Sequence, residues 1–310
     1  MEEKYVAFFD SGVGGLTLLS AFCRAYPGCP TLYFGDNANA PYGDRPAADI
    51  RRLALAAFDR IAVYPVGAAA VACNTVTAAC IGELRRRFPF PVVGVEPAVR
   101  PAVAAARGGR VLLLCTRATL AGARVRRLLA ERPDTAVVAY CPARLAAAVE
   151  ENLFRLSALS VSPFLPPGKF DAAVLGCTHY VWLREAFERA LGCPVFDGTA
   201  GALRRLAAAA GLPPPQEGRE GEGLSPRPAD HLAPKTGTPD HRAQKTGRAA
   251  HRGQKTGTAD HFALKTGTVD HRAQKTNVCS QKIAKNAAKF PIFLGPCAQF
   301  DARAYLLLQN

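Results

Sequence analysis

Residues 66–79 read VGAAAVACNTVTAA, and the fold follows from how that run is taken. Residues 66–72 are small and apolar with no polar alternation, the pattern of a strand buried on both faces of a parallel sheet. Cys73, Asn74 and Thr75 then end the run as a polar turn into a helix. In open α/β sheets, ligands bind just beyond the carboxyl ends of strands. The plan recurs in FDAAVLGCTHY, residues 170–180, where an apolar run ends in Cys177, Thr178 and His179. Two thiols, each at a strand end and each followed by hydrogen-bonding side chains, point to a paired chemistry.

Outward from these two runs, short apolar strands are expected at 5–9, 31–35, 92–95, 111–115, 136–140 and 194–196. Helical patterns fill 50–63, 78–87 and 182–191 and close an Ala-rich stretch at 210. Strands alternating with helices predict an α/β fold, a parallel sheet covered on both faces. The plan runs twice, with a seam near 96–110. Two pseudo-symmetric, doubly wound domains are therefore expected, with the active site in the cleft between them. The first is residues 1–97, completed by 198–212 and 289–310; the second is 98–197.

The first strand leads into DSGVGG, residues 10–15. A strand, a glycine-rich turn and a helix present backbone N–H groups to an anion. The spacing is not GxGxxG, so no dinucleotide fingerprint is met. Asp10 suits an ammonium group or a proton-handling role, although Asp10 or Ser11 could equally cap the helix. The loop DNANAPYG, residues 36–43, holds a Pro-Tyr-Gly turn expected to project backbone amides and one aromatic ring.

The chain has 310 residues, 49% of them hydrophobic, and a net charge of +14. Between residues 213 and 288 there are thirteen Lys/Arg and seven Asp/Glu, so that stretch alone supplies +6. The other basic runs read as solvated helix faces, and no aromatics interleave with them, so nucleic acid is not an expected partner. No run reaches the roughly 18 apolar residues that a membrane span needs, no leader is visible, and the cysteines form no CxxC pair. A cytoplasmic protein with reduced thiols is expected. From His231 a ten-residue unit repeats, with His at 231, 241, 251, 261 and 271. It is poor in large apolar residues and rich in Gly, which predicts a disordered insert over 213–288 rather than a packed repeat or a zinc site. A further strand over 290–295 and a helix over 299–308 are expected after it.

Taken together, several segments resemble the cofactor-independent aspartate/glutamate racemase family: FFDSGVGGLTLL (8–19), YFGDNANAPYGDR (33–45), VACNTVTA (71–78), VVGVEPAV (92–99), TRATL (116–120), CP (141–142), VEE (149–151) and LGCTHY (175–180). The Pro-Tyr-Gly turn and GVGG favour members acting on glutamate over those acting on aspartate. The resemblance implies a two-base exchange of L- and D-glutamate, serving peptidoglycan synthesis. In it Cys73 and Cys177 flank the substrate Cα, one taking the α-proton as thiolate and the other giving one as thiol. Sulfur suits the task, since a free thiol ionises near a pKa of roughly 8.5. The resemblance also sets Asp10 near Cys73, and His179 with Glu150 near Cys177, the neighbouring Glu151 being the alternative. It assigns substrate holding to Ser11, Pro41, Tyr42, Gly43, Asn74, Thr75, Thr116, Thr119, Thr178 and His179. It implies no metal or organic cofactor, and a homodimer. Of the other thiols, Cys23, Cys29, Cys80, Cys115, Cys193 and Cys297 read as inert. Departures occur at Cys115, where the family usually has Gly, and at Gly122, Val125, Val181, Trp182 and Gly198.

Overall fold

Among the described residues there are nine strands: β1 (Tyr5–Asp10), β2 (Pro30–Gly35), β3 (Val66–Val71), β4 (Val92–Gly94), β5 (Val111–Cys115), β6 (Val137–Tyr140), β7 (Ala172–Gly176), β8 (Val195–Asp197) and β9 (Ile292–Pro296). The computed structural model describes residues 4–131, 136–216 and, as backbone only, 292–296. The repeat stretch and the expected helix over 299–308 lie outside the described residues.

One sheet has the order β4-β3-β1-β2-β9 and the other β6-β5-β7-β8. With β9 set aside, both lobes share one scheme: the first strand sits inside, the second on one flank, and the third and fourth on the other. β3 of the first lobe thus corresponds to β7 of the second, and β1 to β5. All pairings are parallel except that β9 runs antiparallel along β2, a direction the alternating pattern did not foretell. The parallel order demands helical crossovers, which Leu16–Ala25, Ala47–Ile61, Asn74–Arg87, Ala123–Ala130 and Arg184–Leu191 supply within the two sheets, while Val99–Ala106 joins one sheet to the other and Thr199–Ala209 follows β8. The seam between lobes is not simply a linker: Val99–Ala106 fills it and packs against β5, β7 and β8.

The strands read as continuous apolar runs because both faces are covered, and successive side chains enter different layers. Val6 and Phe8 of β1 join one core with Ala68 and Ala70 of β3, and that core continues through Leu112, Leu114 and Leu175 of the second lobe. Ala7, Phe9, Ala69 and Val71 face a second core under Ala47–Ile61. Leu113, Cys115 and Val174 face a third. The shared core makes the two lobes one unit.

Helices begin sooner after the cysteines than the polar-turn reading implied. Cys73 is itself the cap residue of Asn74–Arg87, and Cys177 of the four-residue Thr178–Val181. Asn74, Thr75, Thr178 and His179 therefore stand in first helical turns, with fixed directions into the seam between lobes. Cys80 departs from helical geometry at φ −150°, which splits Asn74–Arg87 near where the sequence pattern placed the helix start.

Candidate active site

The order of each sheet reverses between its first and third strands, and such switch points are where open α/β sheets hold ligands. Asp10 ends β1 and Cys73 follows β3; Cys115 ends β5 and Cys177 follows β7. The two cleft thiols thus occupy equivalent places in two copies of one fold. Both are buried, at 4% and 5% exposure, so this seam is closed to bulk water.

The turn after β1 is held from three directions. Asp10 Oδ2 accepts hydrogen bonds from the Gly12 and Gly15 N–H groups, at 3.2 and 3.0 Å. Tyr33 of β2 donates its hydroxyl to the Gly12 carbonyl at 2.7 Å. Gly15, rather than Asp10 or Ser11, is the cap residue of Leu16–Ala25, and no side chain caps that helix. Ser11 is left free for the site, its Oγ lying 3.4 Å from Cys73 Sγ. The glycines leave room for the opposite lobe. A Cβ on Gly12 would meet Glu150 Oε1 at 2.0 Å, and one on Gly14 would meet Thr178 Oγ1 at 2.4 Å.

Across the seam, Cys177 Sγ lies 3.8 Å from His179 Nδ1. His179 Nε2–H donates to Glu150 Oε1 at 2.6 Å, and the same oxygen accepts the Val13 N–H at 3.1 Å. Glu151 is exposed and pairs with Arg144 instead, which separates the two adjacent glutamates. Thr178 Oγ1 donates to Asp10 Oδ1 at 3.3 Å. Thr75 Oγ1 bonds Thr116 Oγ1 at 2.9 Å and Thr119 Oγ1 at 3.5 Å, closing a hydroxyl triangle between the lobes. The Ala118 N–H donates to the Gly43 carbonyl, a further tie.

Burial and pairing set the charges. Burial pushes the Cys73 thiol up to about 12, helped by the neighbouring Asp10 carboxylate and opposed by the Ser11 hydrogen bond. Burial also raises Asp10, against the charge of His179 and the two turn amides. For His179 burial acts downward, but its hydrogen bonds to Cys177 and Glu150 outweigh it and hold the ring well above the usual imidazole value. Glu150 is lowered: its burial is overcome by the hydrogen bond and charge of His179. At neutral pH the seam therefore holds a protonated sulfur on one wall and an imidazolium–carboxylate pair beside the sulfur on the other.

Not every expected residue meets the others in the anticipated way. Tyr42 was expected to project its ring; it is buried in the first-lobe core, and its hydroxyl is committed to the Asp36 carboxylate. Burial, then that hydrogen bond, raise its own phenol. Only the backbone of the half-buried Pro41, of Tyr42 and of Gly43 is left to contribute. Asn74 is buried with its Nδ2 lacking a hydrogen-bond partner, and it also lines a separate cavity of about 510 Å³ that includes neither cleft thiol. Sequence reasoning missed Tyr33 and Val13, whose bracing of the turn depends on contacts across strands and lobes that no local pattern encodes.

A family model described as Asp/Glu/hydantoin racemase matches residues 16–206. A protein named glutamate racemase from Saccharopolyspora erythraea is 41% identical over 200 residues, covering 62% of this chain and 73% of the relative. One of the same name from Clostridium novyi is 33% identical over 213 residues, covering 65% and 81%. Among solved structures, Escherichia coli glutamate racemase, in complex with L-glutamate and the activator UDP-MurNAc-Ala, superposes with a TM-score of 0.61 at 33% identity. It covers 69% of this chain and 85% of that one.

Proposed function

We propose that the chain, which belongs to the Asp/Glu/hydantoin racemase family and is a racemase by that membership, interconverts L-glutamate and D-glutamate by proton transfer between two cysteines. The observation that carries the reading is the pair of buried thiols at equivalent strand ends of two like lobes. In one direction, Cys177 as thiolate takes the α-proton of glutamate while Cys73, kept protonated by its surroundings, gives a proton to the opposite face of Cα. The product state has a Cys177 thiol and a Cys73 thiolate, and the reverse turnover runs from there.

Negative charge develops on the substrate as the α-proton leaves. His179, held cationic by Glu150, lies beside that transfer with its positive charge facing the sulfur that takes the proton. Asp10 suits the substrate ammonium, since an ammonium entering its buried position would offset the cost of ionising it. The hydroxyls of Ser11, Thr75, Thr116, Thr119 and Thr178, the Asn74 amide and the backbone N–H groups of Tyr42 and Gly43 suit the two substrate carboxylates. An unpartnered buried amide such as Asn74 Nδ2 costs free energy until a ligand satisfies it. D-glutamate made this way would feed peptidoglycan synthesis.

The purified chain, stripped of small molecules, should racemise either enantiomer of glutamate to an optically inactive mixture in plain buffer, followed by circular dichroism. Aspartate should be turned over far more slowly. A chain that leaves the optical signal of both glutamate enantiomers unchanged would refute the assignment.

A further inference from the structure

The second lobe holds a pair of sulfurs that racemisation does not use. β5 and β6 pair in parallel with Leu114 opposite Tyr140, so the next residues, Cys115 and Cys141, stand side by side where the two strands end. Both pack in the outer core of that lobe, Cys115 fully buried and Cys141 partly exposed. The two thiols influence each other's protonation, Cys115 being favoured to hold its proton and Cys141 to lose it. Interaction with Cys115 holds the Cys141 thiol down to about 7; burial opposes it, and the positive charge of Arg117 assists. Cys115 is raised by its interaction with Cys141 and by burial. Adjacent strands lie about 4.8 Å apart, inside the Cα separations that a disulfide accepts.

We propose that Cys141 and Cys115 form an oxidative modification site, in which a hydroperoxide oxidises Cys141 and the product closes onto Cys115 as a disulfide. In the first step the Cys141 thiolate attacks the peroxide oxygen. An S–O bond forms, the O–O bond breaks, and the departing oxygen takes the proton that Cys141 shed, leaving as alcohol or water. In the second step Cys115 sulfur attacks Cys141 sulfur. The S–S bond forms, the S–O bond breaks, and the hydroxyl leaves with the Cys115 proton as water. Two thiols lose two electrons in all, and the peroxide gains them. Cys141 is the entry point because it alone of the pair reaches solvent and carries the accessible thiolate. The bond would form immediately before Thr116, whose hydroxyl is one corner of the triangle between the lobes.

The test is peptide mapping of the full chain after reduction, exposure to a single equivalent of hydrogen peroxide at neutral pH, and alkylation. The expected result is a Cys115–Cys141 cross-linked peptide lacking two hydrogen atoms and restored by dithiothreitol, with Cys141 modified at least about tenfold more than Cys73. A Cys115→Ser variant should trap Cys141 as a dimedone adduct. A Cys141→Ser variant, at a partly exposed position, should leave Cys115 as free thiol under the same dose. Recovery of Cys141 as unmodified thiol while other cysteines oxidise, or its linkage to any cysteine other than Cys115, would overturn the proposal. None of these readouts depends on racemase activity, so they stand or fall apart from the proposed function.

Discussion

Cys73 and Cys177 are the same kind of atom at matching places in two lobes, yet their neighbours differ: a serine hydroxyl and a buried carboxylate for one, an imidazolium for the other. If each acts as one base of a pair, Cys73→Ala and Cys177→Ala should each lower kcat by about 10²–10⁴-fold with little change in Tm. Retention of full activity by both variants would rule out the pair. The His179–Glu150 contact should show in stability as well. His179 is raised above its ordinary 6.5, so its contribution is fully present below about pH 6.5 and is lost as pH rises through the higher folded value. Glu150 is lowered from 4.5, so its contribution is present above about pH 4.5 and is lost as pH falls through the lower folded value. Urea unfolding should therefore show greatest support from this pair between those limits. Glu150→Gln should cost about 1–3 kcal/mol near neutrality and move the alkaline decline to lower pH, because His179 loses the carboxylate that raises it. An unmoved alkaline limb would assign that decline to another group. At this scale the sequence placed Cys73, Cys177 and His179 just after buried strands; the roles given to them come from the resemblance. The contact of Ser11 with Cys73 and the commitment of Tyr42 to Asp36 were not legible, since side-chain rotamers decide them and local sequence does not.

One element that brings the lobes together is the turn after β1. Its glycines looked like an anion cradle; in three dimensions Gly12 and Gly14 are clearances through which Glu150, Thr178 and His179 reach Asp10 and the turn backbone. Gly14→Ala would set a methyl 2.4 Å from Thr178 Oγ1 and 2.8 Å from the His179 backbone nitrogen. It should cost about 1–3 kcal/mol in urea titration and depress kcat, as His179 is displaced. Gly28→Ala, where an added Cβ meets nothing within 4 Å, is the matched control and should leave activity unchanged. Equal behaviour of the two variants would show that clearance at Gly14 has no functional weight. The strands themselves were legible in the sequence as buried apolar runs, and their ends agree with the pattern to within one or two residues. The antiparallel direction of β9 and the helix in the seam were not, because each depends on a partner distant in the chain.

With β9 set aside, the described residues form two copies of one strand order facing a common seam, with one apolar core running through both. Doubling was visible as two apolar runs ending in cysteine; the equivalence of β3 with β7 required the sheet order, which no periodicity reveals. The repeat stretch stands apart from this scheme in composition, and we propose that it is dispensable. Deleting residues 214–288 should leave a soluble chain with racemase activity within about threefold of the full chain, since loop length alters closure entropy only slowly. An insoluble or inactive deletion would make the stretch part of the working fold. The central claim, a separate base on each wall, is tested most directly by turnover in deuterium oxide. With L-glutamate as substrate, D-glutamate formed early should carry deuterium at Cα while unreacted L-glutamate keeps its protium, and the mirror result should hold from D-glutamate. Deuterium entering the unreacted substrate as fast as the product would mean that one group serves both faces, and would contradict the account.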